Sequence, residues 1–475
     1  MSDLLRGQFA SDTVSRHFDD AALLAAMGRF EAALAAAQAA AGLVPRAAAD
    51  RIERVAVATL GPAAAVDPAR APAVPARVAP EDDPFSPVEL AGAARRAGTL
   101  AIPFVKALTD AVAREDAEAA RWVHWGATSQ DVLDTALALG ATRAGAELQA
   151  QLARVGDALA TLAERHRTTP VTGRTLLQPA TPVPFGWKAA CWLSPLGRGR
   201  AGLGAALDAM RALQLGGASG IRAALGGRGD AVARTLAGSL GLADPAISWH
   251  GSRDRVARLG AELATLAGAM ARVGRDLSLL MQGEVAEAFE PTGAGRGGSS
   301  AMPHKRNPVA AMLALQAGLR APGLAATLLA QLPGEHERGL GTWQGDWWTL
   351  GALFECAGSA TEAIGEAVEG LRVDADAMRA NLARTRGFVH AEAVTVALAA
   401  TFGKPAAQAT MERICGDAID RGVALRDAID RARDADPALG RALPGDRLDA
   451  LFDPAGQRGD ADAMIDRALA EWRAA

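Results

Sequence analysis

The chain has 475 residues, half of them hydrophobic, with 50 Lys and Arg against 54 Asp and Glu and a formal net charge of -4. So even a balance gives neither the basic footprint of a nucleic-acid binder nor the self-repulsion of a disordered acidic chain. The three cysteines, Cys191, Cys356 and Cys415, stand far apart with no zinc or redox spacing, so a reduced protein without structural metal is expected.

The first residues, MSDLLRGQFASD, carry charge and lack the apolar core of a signal peptide. No later run reaches the roughly 18 uninterrupted apolar residues of a spanning helix. The expectation is a cytoplasmic protein with no membrane contact.

Residues 1–108 hold shorter helices and an Ala/Pro stretch, GPAAAVDPARAPAVPARVAPEDDPFSP, that reads as a solvated connection. A long helix is predicted after Ser129, where Leu148, Leu152, Val155, Leu159 and Leu162 form an apolar seam that ends before Pro170. A second long segment covers about 182–213. The clearest periodicity spans 252–290, with Val256, Leu259, Leu263, Leu266, Met270, Val273, Leu277 and Leu280 three and four apart. Such a helix would be about 57 Å long. Two more are predicted over 303–332 and 343–371, and past 372 the pattern breaks into short helices between Gly and Pro. No alternating β-type run of useful length is found, so the reading is all-α with a bundle of long helices in the middle. The expected division is 1–108, 109–371 and 372–475.

Three stretches carry chemistry. GAGRGGSSAMPHKRNP, residues 293–308, combines glycines that free the backbone with Ser299, Ser300, Lys305 and Arg306 just ahead of a helix start. Such a loop can close over a substrate, and cations with a helix N-terminus suit a carboxylate. VHWGATSQDVLDTAL places Thr128 and Ser129 at a helix start with Asp131 in its first turn. The plain alternative there is an ordinary helix cap, and a lone His124 is more often structural than catalytic. The third stretch is GRTLLQPATPVPFGWKAA from Gly173.

GSSAMPHKRNP fits every fixed position of GSSxMPxKxNP, the signature of the fumarase/aspartase superfamily, which the chain resembles from about Phe9 to about residue 400. Further support comes from FEAALAAAQAAAGLVP, LQLGGASG, HERGLGTWQGDWWTL and the TxGxxxAE frame of LARTRGFVHAEAV. The resemblance implies the three-domain all-α fold of that superfamily, with a central long-helix bundle. It implies a cofactor-independent enzyme for a small polycarboxylate, with no metal, acting as a homotetramer whose active sites are shared between chains. It also carries roles over. Ser299 becomes the residue that exchanges a proton next to a carboxylate, while Lys305 and Asn307 hold substrate oxygens. Thr128 and Ser129 bind a substrate carboxylate, His124 assists acid chemistry, and Gln178 binds substrate. Arg338, in HERG, is a further binding candidate beside the alternative of a surface ion pair.

One position departs from the pattern: Leu176 stands where GRTHxQxATP has its His. A lyase that expels an amine gains from an acid at the leaving nitrogen, and leucine has no proton to give. A carboxylate is stable at neutral pH and needs none. The loss therefore favours a lactone-forming cycloisomerase. A fumarate-releasing lyase of adenylosuccinate or argininosuccinate type is the alternative, and a non-catalytic scaffold of the family is a second.

Overall fold

The computed structural model describes residues 3–67, 83–293, 296–298, 301–302 and 304–474. Most of the Ala/Pro stretch, Ser299 and Ser300 lie outside the described residues.

Five long helices follow from the apolar seams. After α1 (Asp20–Ala40) and α2 (Arg46–Leu60), the longest is α3 (Ser129–Arg165), followed by α4 (Phe185–Met210). Then come α5 (Asp254–Leu280), α6 (Val309–Ala330) and α7 (Asp346–Glu369). Every seam residue named above for α3 and α5 is buried. Burying one such side chain stabilises the fold by about 1.5–3 kcal/mol.

Two expectations are corrected. The segment 252–290 does not form one helix of about 57 Å: α5 has 27 residues and stops where its seam stops. Its length is thus about 40 Å. A turn follows through Gly283, and Ala286 takes a left-handed φ of 53°. Residues 288–289 then form β3 (Ala288–Phe289), paired with Arg372–Val373, here β4. The expected absence of strands also fails at 170–184, where β1 (Pro170–Thr175) and β2 (Gln178–Pro184) make an antiparallel hairpin. Four prolines hid it, because proline cannot donate to a ladder; in a two-stranded sheet both strands are edges that tolerate it.

The chain divides into two compact units. The first comprises Met1–Ala150, Ala201–Gly268 and Ala317–Ala360, the second Gln151–Arg200, Ala269–Gln316 and Thr361–Ala475. In the first, a Cβ at Gly260 of α5 would lie 2.4 Å from a Leu328 methyl of α6, so only glycine allows that approach. In the second, Gly274 of α5 lies against Ala311 and Ala314 of α6. The C-terminal short helices build their own apolar cluster around Leu398, Met411, Ile414, Leu425, Ile429 and Leu443.

Candidate active site

In the first unit, the start of α3 is organised by one buried carboxylate. Asp131, fully buried, accepts from the backbone N–H of Thr128 at 2.9 Å, of Gly216 at 2.8 Å and of Gly217 at 2.9 Å. His250 donates to it from Nε2 at 2.7 Å. Asp131 stands three residues after Thr128, so it reaches back as the acidic half of a capping box. Asp131 thereby takes the Thr128 amide, and the Thr128 hydroxyl serves another partner. Arg338 takes it up, donating to Thr128 Oγ1 at 3.1 Å and to the carbonyls of Gly217 and Ala218 at 3.2 and 3.0 Å. The surface ion pair considered for Arg338 is thus replaced by a bridge between Thr128 and the LQLGGASG turn. Gly216 has to be glycine there, because a Cβ would come within 2.6 Å of the His250 ring.

Beneath this lies a buried polar layer. Arg253, 2% exposed, donates to Asp134 at 2.7 and 2.9 Å and to Asp346 at 2.7 Å. Gln130 and Gln214 add hydrogen bonds to Asp134. Two carboxylates share one guanidinium, so the layer holds excess negative charge. Burial pushes Asp346 up to about 6, with Asp134 adding repulsion and Arg253 opposing both.

His124 sits in the loop before Thr128 with a left-handed φ of 59°. Its Nδ1 lies 2.6 Å from Oε1 of Glu31, a fully buried residue of α1. Desolvation works against the imidazolium, but the charge and hydrogen bond of Glu31, helped by Asp131, raise its pKa above the ordinary value. Ser129 is half-buried at the first position of α3.

In the second unit, Arg174 at the end of β1 makes a bidentate pair with the fully buried Glu287 at 2.7 and 2.8 Å, and Asn381 donates to the same carboxylate at 2.8 Å. The hairpin is therefore fixed one residue pair below its tip. At its tip, Thr175 pairs with Gln178, leaving Leu176 and Leu177 as a two-residue turn with φ of 50° and 64°. Those are the signs of a type I′ turn, which normally carries Asn-Gly. The two leucines are 97% and 75% exposed. Gln178 is exposed beside them.

A cleft of about 950 Å³ in this unit is lined by Lys305, Asn307, Arg296, Arg306, Arg372 and Glu290 among others. Arg296 is paired with Glu366 at 2.7 Å. Four cations against one lining carboxylate suit an anionic guest. Asn307 anchors the loop, its backbone N–H donating to Gly297 at 2.8 Å and its side chain to Gly298 at 3.3 Å. One expectation changes here. The first amides of α6 do not await a substrate: Glu290 accepts from Ala310 and Ala311 N–H at 3.0 and 2.9 Å. The chain's own carboxylate occupies the position that a helix N-terminus offers to an anion. Gln178 does not line this cleft, and Ser299 lies outside the described residues.

Sequence reading missed Glu31, Gln38, His250, Arg253 and Glu290. The signal for the first two was present: they are the polar residues within the apolar run FEAALAAAQAA, seven residues or two helical turns apart.

The profile of the lyase family matches residues 95–323. The chain belongs to that family, within the fumarase/aspartase superfamily. The nearer likeness is to its cycloisomerases. The chain is 45% identical to the 3-carboxy-cis,cis-muconate cycloisomerase of Pseudomonas aeruginosa, over 100% of this chain and 97% of that protein. The crystal structure of the 3-carboxy-cis,cis-muconate lactonizing enzyme from Pseudomonas putida superposes with a TM-score of 0.88 at 39% identity, covering 100% of this chain and 99% of that one. The chain is also 41% identical to the nitrosuccinate lyase of Streptomyces davaonensis over 98% of its length and 94% of that protein's.

Proposed function

We propose that the chain is a cycloisomerase that interconverts 3-carboxy-cis,cis-muconate and 4-carboxymuconolactone, a step in the breakdown of protocatechuate. The observation that carries this reading is the full-length likeness to enzymes of that name. Leu176 supports it, because the tip that would present an acid presents a leucine.

In the forward direction a substrate carboxylate oxygen adds to one carbon of the conjugated system and closes a five-membered lactone. The neighbouring carbon takes a proton, and the charge passing through it is shared with the adjacent carboxylate as an aci-carboxylate. Ser299 delivers that proton and removes it in reverse. Lys305, with Asn307, faces the oxygens on which charge develops, where a fixed cation is most effective. Thr128 accepts from Arg338, so its own O–H points its proton elsewhere and can donate to a second carboxylate beside Ser129. Gln178 contacts substrate from the hairpin. The scheme invokes no metal or cofactor.

Conversion of 3-carboxymuconate, followed by absorbance, tests the reading. Ser299→Ala is expected to lower kcat on the order of 10²- to 10⁴-fold with unchanged circular dichroism, and a near-normal rate would remove Ser299 from the scheme.

A second reading is favoured by the likeness to nitrosuccinate lyase. Elimination of nitrite, also a stable anion, would equally dispense with an acid at position 176. Release of nitrite from nitrosuccinate, with no change in 3-carboxymuconate, would select it.

We further propose a cytoplasmic homotetramer with shared active sites. Helix α6 is long and apolar enough by composition to cross a membrane, with only a third of its apolar window buried inside one chain. Met312, Leu319 and Leu329 on it are exposed, and burial against other copies accounts for that surface. A monomer in light scattering would refute this.

A further inference from the structure

The loop that carries His124 is strung along α1 by two buried polar side chains. Glu31 reaches the His124 ring, and Gln38, also fully buried, donates from Nε2 to the Trp125 carbonyl at 2.6 Å. The two lie on the same face of α1, two turns apart. A carboxylate at that depth is costly unless a positive partner faces it. Its Oε2 has no hydrogen-bond partner among the described residues, so His124 is the group that answers its charge. With Nδ1 turned to Glu31, the opposite nitrogen of the ring, Nε2, faces away, and the side chain is 17% exposed.

We propose that Glu31 is a positioning residue: its buried carboxylate fixes the His124 ring so that Nε2–H is presented as a charged donor to a substrate carboxylate beside Thr128 and Arg338. This rests on the cycloisomerase reading and refines it. His124 becomes a fixed cation for binding rather than an acid that gives up its proton in each turnover. The groups facing the ring agree with that role. Glu31 of α1 and Asp131 of α3 both favour the imidazolium. Asp131 is itself held by His250, while Arg338 brings a second cation to Thr128, four residues further along the chain than His124. An imidazolium and a guanidinium together suit a tricarboxylate.

Glu31→Gln tests it, since the amide oxygen can still accept from Nδ1–H and only the charge is lost. KM for 3-carboxymuconate is expected to rise about tenfold at pH 8 while kcat changes less than about threefold. The alkaline limb of kcat/KM should move to lower pH by about one unit, so that lowering the pH restores KM. A structural role alone would not produce that acid rescue. An unmoved limb, or a fall in kcat with unchanged KM, overturns the proposal.

A second measurement is independent of turnover. In protein with labelled histidine rings, the His124 signal is the one missing from His124→Gln. In the wild type it should titrate above pH 6.5, move higher when tricarballylate is added as a tricarboxylate probe, and fall below 6.5 in Glu31→Gln. A midpoint at or below 6.5 in the wild type, or one indifferent to tricarballylate, overturns the proposal even if the enzyme is active. If 3-carboxymuconate is not converted, the activity reading fails while the titration still decides the role of Glu31.

Discussion

The loop before α3 and the tip of the β1–β2 hairpin both hold non-glycine residues at positive φ, and they are supported in opposite ways. His124 is held by Glu31, its neighbour Trp125 by Gln38, and the loop's end at Thr128 by Asp131, all three of them buried. Leu176 and Leu177 are fastened through the strand beside them, by Arg174 and Glu287, while their own side chains stand in the open. Strain of this kind persists where the surroundings over-determine it. In the loop those surroundings are within the chain. At the tip, among the described residues, the two leucine side chains stay in the open and the support comes from the strand pairing alone.

The largest effect that would break this contrast is in the loop. Asp131→Ala strands three backbone donors and the His250 ring in a buried site, and should destabilise the protein by about 3–5 kcal/mol in denaturant unfolding. A loss under about 1 kcal/mol would mean the loop is held from elsewhere.

An intermediate effect lies in the layer under it. Asp346 has its pKa raised from 3.8 to about 6, so between those values the folded state binds a proton that the unfolded state has lost. Stability therefore falls as pH rises through that window, by roughly 2–3 kcal/mol from this group. Asp346→Asn should flatten that slope in unfolding measured from pH 4 to 7. An unchanged slope would show that the burden sits on another carboxylate.

The smallest expected change is at the tip. Leu176→Asn with Leu177→Gly supplies the residues a type I′ turn prefers and should raise stability by about 1 kcal/mol, measured as a shift in the thermal midpoint. Turnover should fall all the same, because the apolar surface is gone. Greater stability with full activity would make the leucines incidental.

The difference also explains what the sequence made legible. Apolar residues three and four apart write the long helices directly, because burial of a stripe is what the period records. The signature loop and the Thr128-Ser129 pair were readable from their fixed wording. Glu31 was legible only as a polar break in an apolar run; that it faces a histidine 93 residues away was not, since a carboxylate in an alanine-rich helix looks the same when it faces water. The end of α5 at Leu280 was overrun because polar residues beyond it still fit a helical period. Leu176 could be read as a missing acid, but only the hairpin register shows it at a strained turn.

Glu290 has one more consequence. By taking the Ala310 and Ala311 amides it ties the exit of β3 to the entrance of α6. The residues on either side of the segment 291–309 thereby meet at one carboxylate. The entropy of bringing those ends together is spent once, when the chain folds, and is not charged again at each catalytic cycle.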